Sequence, residues 1–170
     1  MTFFYIVFCF VILQRLLEVL YAKSNERYMK AQGAIEAGAS HYKWIVLLHV
    51  LFFISLLAEV LYLDGAKGPF WMVFFVAFVI AQILRVWALA SLGRFWNTKI
   101  LVLPGARKIA SGPYRWLPHP NYIVVALEIL TLPLVFGAWR TAVFFTIANA
   151  LLLLLVRIPA EEKALQQLKS

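Results

Sequence analysis

Cysteine is nearly absent from this 170-residue chain: Cys9 is alone, inside an apolar run, so neither an intrachain disulfide nor a cysteine-based metal centre can form. Acidic residues are scarce, eight Asp and Glu against sixteen Lys and Arg, and charged residues make up only 14% of the sequence. A soluble domain of this size has a high surface-to-volume ratio and needs a polar shell that so few charges cannot supply. A glycine-rich GxGxxG element following a strand is also missing, so a Rossmann-type nucleotide fold is not indicated. His41 and His49 lack a carboxylate partner for a metal; they read as an interfacial residue and a helix-contact residue. The N-terminus, Met1-Thr2-Phe3-Phe4, has no basic n-region, and no small-x-small cleavage site follows it. The first apolar stretch is therefore expected to remain as a membrane helix.

What the chain does have is apolar surface. Hydrophobic residues make up 64%, with a mean hydropathy of +0.84. The bilayer is the natural solvent for such a chain. Stretches able to cross about 30 Å of hydrocarbon at about 1.5 Å per residue occur in five places. They run from Thr2 to Tyr21, Tyr42 to Leu63, Pro69 to Leu92, Asn121 to Phe136 and Trp139 to Val156. The last two are short and separated only by Gly137-Ala138, as in a tight helical hairpin, and Pro133 makes the fourth the weakest of the set. The expectation is an all-α integral membrane fold of about five transmembrane helices.

Charge then orients the spans. Lys23, Arg27, Lys30 and Lys43 fall in the first connection, and Arg94, Lys99, Arg107, Lys108 and Arg115 in the third. Arg157, Lys163 and Lys169 fall at the C-terminal end. With five spans these twelve share one side, against only Lys67 and Arg140 on the other. The positive-inside rule puts the N-terminus outside and the C-terminus in the cytoplasm. The net charge of +8 does not indicate nucleic acid, because the basic residues alternate with apolar spans instead of covering one soluble face.

The third connection, from Gly93 to His119, mixes Trp96, Ile100, Leu101, Val102, Leu103 and Ile109 with basic residues. Either it lies on the membrane surface with snorkelling Lys and Arg, or it folds as a cap over a site between the helices. Two clusters beside it carry chemistry. In Ser111-Gly112-Pro113-Tyr114-Arg115-Trp116-Leu117-Pro118-His119-Pro120-Asn121-Tyr122, three prolines and a glycine force a non-helical path. Pro120 suits the first turn of the following helix, which places His119 and Tyr122 at its N-terminus. In Arg157-Ile158-Pro159-Ala160-Glu161-Glu162, Arg157 and Glu161 are spaced to share a helical face. Pro159 either kinks that helix or starts a new one, whose first turn would then hold both glutamates. The plain alternative is a span end with three snorkelling side chains.

Together these pieces resemble the isoprenylcysteine carboxyl methyltransferase family: Gly112-Pro113-Tyr114, His119-Pro120-Asn121-Tyr122, and Arg157 followed by Glu161-Glu162. The resemblance covers about Leu92 to Leu165. Leu92-Gly93-Arg94-Phe95-Trp96 and the run from Glu128 to Asn149 are similar to a bacterial branch associated with type III polyketide synthases, which methylates alkylpyrone or alkylresorcinol hydroxyls. Asn25-Glu26-Arg27, Gly33-Ala34-Ile35-Glu36 and His41-Tyr42 resemble that branch more weakly. The resemblance implies one membrane domain over 1–170, with a three-helix part over 1–92. A part that binds S-adenosyl-L-methionine would span 93–170, using the cytoplasmic loop region between the third and fourth spans.

By the same resemblance Tyr114, His119, Pro120, Asn121, Tyr122 and Glu161 line the cofactor pocket, and Arg157 points to the acceptor end as the catalytic residue. Glu162 is a neighbour without an assigned role. Pro118 stands where the family usually has arginine, Ile123-Val124 replaces a valine-glycine pair, and the chain stops at Ser170 without the tyrosine- and arginine-rich tail of many members.

The reaction implied is in-line attack of a substrate oxygen on a sulfonium methyl. An acidic hydroxyl or carboxylate is already ionised, so proximity and water exclusion can supply most of the acceleration, up to about 7–11 kcal/mol. Arg157 is suited to hold the anionic oxygen, since a guanidinium stays charged and is directional. A lipophilic acceptor would enter laterally from the bilayer. Within the spans, Arg15 and Glu18 are spaced to pair, Glu59 and Arg85 are expected to pair between helices, and Glu128 is expected to border the substrate cavity. Other readings are a phospholipid or thiol methyltransferase on the same scaffold, a reductase, or a small transporter or membrane subunit without a cofactor.

Overall fold

The computed structural model describes residues 1–106 and 109–167; Arg107, Lys108 and Lys169, counted above among the basic residues, lie outside them. The helices are α1 (Thr2–Ala31), α2 (Ala39–Tyr62), α3 (Trp71–Leu92), α4 (Pro120–Val135), α5 (Trp139–Leu152) and α6 (Ile158–Gln167). Segments Thr2–Ala31, Ala39–Tyr62, Trp71–Phe95 and Trp139–Gln166 are long and apolar enough to cross a bilayer, and Pro120–Val135 is a shorter apolar helix. The architecture is helical, with four to five helices able to span a membrane.

Two features depart from the sequence expectation. Helix α1 runs past Tyr21 to Ala31, so Lys23, Arg27 and Lys30 lie on a helix and not in a connection. No glycine or proline interrupts the chain before Gly33, and Ala22, Asn25 and Met29 recur at helical spacing on its buried face. The fold is also not purely α-helical. Strand β1 (Ile35–Ala37) pairs antiparallel with β2 (Ile100–Val102), Glu36 opposite Leu101, which ties the first connection to the third. Three-residue strands are too short for period-two alternation to reveal. The third connection is folded: Trp96 and Ile100 are buried.

Helix α3 packs along α4, α4 on α5, and α5 on α2. Ala81 and Ala88 face inward from α3 with no exposed surface, and such small side chains allow close helix approach where hydrophobic driving force between helices is weak. An aromatic-rich core of Phe4, Phe52, Leu56, Val60, Phe78, Leu132, Phe136 and Phe145 fills the end of the bundle away from the ribbon. Helix α4 carries Pro133 without breaking there and ends at Val135. The turn after it meets the α2–α3 turn so closely that a Cβ on Gly68 would lie 2.5 Å from the Leu134 carbonyl oxygen.

Halfway along, four charges from three helices converge. Arg15 reaches Glu18 at 2.5 Å and both Glu128 oxygens at 2.8 Å. Arg85 donates from Nε to Glu128 at 2.8 Å, from Nη2 to its other oxygen, and from Nη1 to Glu18 at 3.1 Å. Gln82 adds a bond to Glu128 at 2.6 Å. The cluster is neutral overall and joins α1, α3 and α4. Among the described residues Glu59 takes no basic side chain as partner. Its carboxylate accepts from the backbone N–H groups of Arg140 and Thr141 and from the Thr141 hydroxyl, capping α5, whose N-terminal N–H groups attract negative charge.

Candidate functional site

At the ribbon end of the bundle, the C-termini of α1, α3 and α5 meet the N-termini of α2 and α4. A 3-10 turn, Gly112–Arg115, and an extended stretch deliver the chain to His119, the N-cap of α4, with Pro120 at its first position. Across from it α5 ends in a π-helical turn, Leu153–Arg157, and α6 starts at Ile158. The extra residue of a π-turn re-aims the side chains that follow, and such turns recur at functional sites. Pro159 thus falls in the first turn of a new helix, with Glu161 close behind it.

These elements bring together side chains far apart in sequence. The Tyr122 hydroxyl donates to Glu161 Oε2 and accepts from Arg157 Nε at 3.0 Å. Arg157 Nη2 donates to the Thr98 carbonyl at 2.9 Å, and the Thr98 and Tyr42 hydroxyls are 3.1 Å apart. The His119 ring stacks on Tyr122, 5.3 Å between centroids, with Nδ1 3.8 Å from Glu161 and Nε2 3.9 Å from Glu162. Tyr114 lies near enough for the Glu161 charge, together with burial as the larger cause, to push its phenol well above the ordinary range. Tyr114, His119, Asn121, Tyr122, Arg157 and Glu161 therefore gather at one end of the molecule, with Pro120 buried at the helix start.

Arg157 is only 5% exposed, yet among the described residues no carboxylate touches it directly. Its charge is compensated through the Tyr122 hydroxyl, one hydrogen bond from Glu161. Arg157 Nη1, the Tyr114 hydroxyl and Asn121 Oδ1 are buried and have no hydrogen-bond partner among the described residues. Each of the three has bonding capacity left for a polar partner.

Glu128 lies elsewhere, about 9 Å further along α4 from Tyr122. Its two oxygens accept five hydrogen bonds from Arg15, Gln82 and Arg85. Sequence reasoning missed Thr98, which acts through a backbone carbonyl and leaves no residue-type signal. It also left Tyr42 without a role, although the His41-Tyr42 pair had been noted.

Segment 93–99 is itself pinned. Asn25, wholly buried on α1, donates to the Gly93 and Trp96 carbonyls at 3.1 and 2.8 Å. Asn97 bonds the Ala22 carbonyl at 3.1 Å, and Lys99 bridges Glu26 at 2.8 Å and Glu36 at 3.2 Å. The hydrogen bond to Glu26 raises the Lys99 pKa, and the hydrogen bond from Lys30 holds the Glu36 carboxyl below its ordinary value. Thr98 thus presents its carbonyl to Arg157 from a fixed loop.

Two hollows flank the bundle. A cavity of about 360 Å³ at the far end is lined by Ser55, Glu59, Tyr62 and Arg140. An apolar groove of about 550 Å³ between α2 and α5 runs past Trp44, Leu48, Phe145 and Leu152 to Leu155 and Val156, which directly precede Arg157. Among the described residues no three His, Cys, Asp or Glu gather as a metal would require.

Residues 72–167 match the model of the isoprenylcysteine carboxyl methyltransferase family. The uncharacterized protein YpbQ of Bacillus subtilis (strain 168) is 49% identical over 164 residues, covering 96% of this chain and 97% of that protein. An uncharacterized protein of Haemophilus influenzae is 25% identical over 169 residues, covering 99% and 98%. No solved structure matches. The match spans the whole constellation from Tyr114 to Glu161, and the chain belongs to the isoprenylcysteine carboxyl methyltransferase family.

Proposed function

We propose that this protein is an S-adenosyl-L-methionine-dependent methyltransferase that O-methylates a lipophilic acceptor, with its site facing the cytoplasm and its N-terminus outside. Membership in a family of methyltransferases supports methyl transfer in general. The observation that carries the finer reading is the set of three unpartnered buried polar atoms around the Tyr122–Arg157–Glu161 knot. Their chemistry fits the cofactor, which offers an ammonium, a carboxylate, hydroxyls and a purine edge to donors and acceptors of both kinds.

In this reading Tyr114, His119, Asn121, Tyr122 and Glu161 hold the cofactor, with Pro120 setting the backbone beneath it. When bound, the cofactor supplies a sulfonium methyl as electrophile. Arg157 orients the acceptor oxygen with its free Nη1 and stabilises negative charge there, in a buried setting where that interaction is strong. Tyr122 holds both Arg157 and Glu161 and so fixes the distance between the two ends of the site. Glu128 and its arginines set the height of α4, and the substrate contact expected of Glu128 passes to Arg157. The α2–α5 groove takes the acceptor's alkyl tail from the bilayer, where an apolar lining gives binding without orientation. The twelve-to-two split of basic residues supports the stated orientation. The resemblance to alkylpyrone- and alkylresorcinol-methylating proteins favours an acceptor of that kind.

Calorimetry of the purified protein with S-adenosylhomocysteine tests the reading. Saturable binding is expected, and Glu161→Ala should abolish it; retained affinity in that variant would remove Glu161 from the site. A panel of lipophilic phenols, thiols and lipid amines then distinguishes O-methylation from thiol or phospholipid methylation.

A further inference from the structure

We propose that the loop Arg115-Trp116-Leu117-Pro118 is an interfacial membrane anchor. Trp116 and Leu117 enter the headgroup layer beside the end of α3, Arg115 meets anionic lipid phosphate, and the bilayer holds in place the loop that carries part of the site.

The contact with α3 fixes where the loop lies. On α3, Ile83, Val86 and Trp87 are exposed, whereas Ala81, Arg85 and Ala88 are buried against the bundle. Trp87 therefore belongs to the face that a membrane-spanning helix turns to lipid. The Trp116 ring packs on it, with 6.0 Å between ring centroids. The chain just before is seated on the same end of α3. A Cβ on Gly112, at φ +54°, would lie 1.9 Å from Ser91 Oγ and 3.1 Å from Trp87 Nε1. The Ser111 hydroxyl donates to the Ser91 carbonyl at 3.2 Å. The loop thus continues the lipid-facing surface of the helix at its cytoplasmic end.

Its chemistry suits that layer. Trp116 is 68% exposed, and Leu117 and Pro118 beside it are exposed as well. Water is a poor medium for such a run. Its backbone is nevertheless prepared for a drier one: the Trp116 and Leu117 N–H groups both donate to the Pro113 carbonyl, at 3.2 and 3.0 Å, and Pro118 has no N–H to satisfy. Tryptophan favours the membrane interface, where the ring sits among the acyl-chain ends and its N–H reaches the headgroups. The exposed Arg115 guanidinium, 6.0 Å from the Trp116 ring centroid, can extend to phosphate while its stem stays on apolar surface.

The anchor lies between two residues of the site. Tyr114 is in the 3-10 turn immediately before it, and His119 follows Pro118 and precedes Pro120. Prolines on both sides of His119 limit the backbone freedom that could absorb a shift of the loop. The depth of Trp116 is therefore passed on to Tyr114 and His119. This consequence for the cofactor rests on the methyltransferase reading above; the anchor itself does not.

The test uses the full chain in nanodiscs of phosphatidylcholine and phosphatidylglycerol. Trp116→Phe removes one of six tryptophans, so the emission lost on substitution is that of Trp116. That emission should be quenched by lipids brominated high on the acyl chain and protected from aqueous iodide. Quenching by iodide and not by bromolipid would place the loop in water, free to meet another protein, and overturns the anchor. In calorimetry with S-adenosylhomocysteine, Trp116→Ser should bind about fivefold more weakly, as a loop held in place only a fifth of the time implies. Trp116→Phe should stay near wild type. Trp139→Ser, which changes an exposed tryptophan at the far end of the bundle, should bind as wild type. Omitting phosphatidylglycerol should weaken wild type but not Arg115→Gln. Wild-type affinity in Trp116→Ser, or equal losses in Trp116→Ser and Trp139→Ser, overturns the coupling of anchor to site. Absence of S-adenosylhomocysteine binding by wild type would instead remove the methyltransferase reading, and the quenching measurement would still decide the anchor.

Discussion

Removing the Glu128 carboxylate should cost more stability than any other single polar change in the bundle, and removing its main partner along with it should cost less. Arg85 has a side chain 5% exposed and makes three charged hydrogen bonds, two of them to Glu128. Glu128→Leu leaves Arg15 and Arg85 both dependent on Glu18 Oε2, at 2.5 and 3.1 Å, and turns a neutral cluster into one of charge +1. An uncompensated buried charge of this kind costs about 3–5 kcal/mol. The double variant Glu128→Leu with Arg85→Met keeps the Arg15–Glu18 pair and restores neutrality. It should be less destabilised than Glu128→Leu alone by about 2 kcal/mol or more, because replacing both members of a buried pair with apolar groups is often close to neutral. The assay is unfolding in mixed micelles, with the four proteins of the cycle compared under one condition. A loss below about 1 kcal/mol for Glu128→Leu, or a double variant worse than the single, would show that the cluster is hydrated and refute the reasoning.

Arg157→Ala should leave S-adenosylhomocysteine affinity within a few-fold of wild type and lower turnover by about 10²-fold or more, as loss of a charge-stabilising donor does. Collapse of cofactor affinity instead would move Arg157 to the cofactor side. Gly38→Ala should destabilise by about 1–2 kcal/mol from backbone conformation alone, read as a lower melting temperature, and should displace His41, whose Cε1 a Cβ would approach to 2.2 Å. The ribbon should loosen in acid and in alkali. The Glu36 carboxyl is held below its ordinary 4.5, so its contribution is complete above 4.5 and lost as pH falls through the lower folded value. The Lys99 amine is raised above 10.5, so its contribution is complete below 10.5 and lost as pH rises through the higher folded value. Faster amide exchange at Ile35–Ala37 at either extreme, amounting to under about 1 kcal/mol for partly exposed pairs, is the measurement.

The membrane character and the four to five apolar helices followed from the chain itself. Length of apolar run and scarcity of charge are local properties, and a bilayer leaves helices as nearly the only way to satisfy the backbone of such runs. The prolines around His119 likewise act locally, which is why the turn before α4 was legible, whereas Arg157 and Glu161 meet only through Tyr122. Contacts between distant segments were not. The β1–β2 ribbon joins residues 35–37 to 100–102, and Thr98 offers Arg157 a carbonyl that every residue type possesses.

Glu59 shows the same limit. As an acidic residue in a span it was matched with a basic partner, but its donors are the Thr141 hydroxyl and the backbone N–H groups at the start of α5. Glu128 could be placed on α4 by counting, yet only packing decided that Arg15 and Arg85 would saturate it. His41 was visible as a histidine at a helix end. That its ring packs against Gly38 with Nε2 buried, and without a hydrogen-bond partner among the described residues, depends on what surrounds the start of α2, and no local periodicity encodes that.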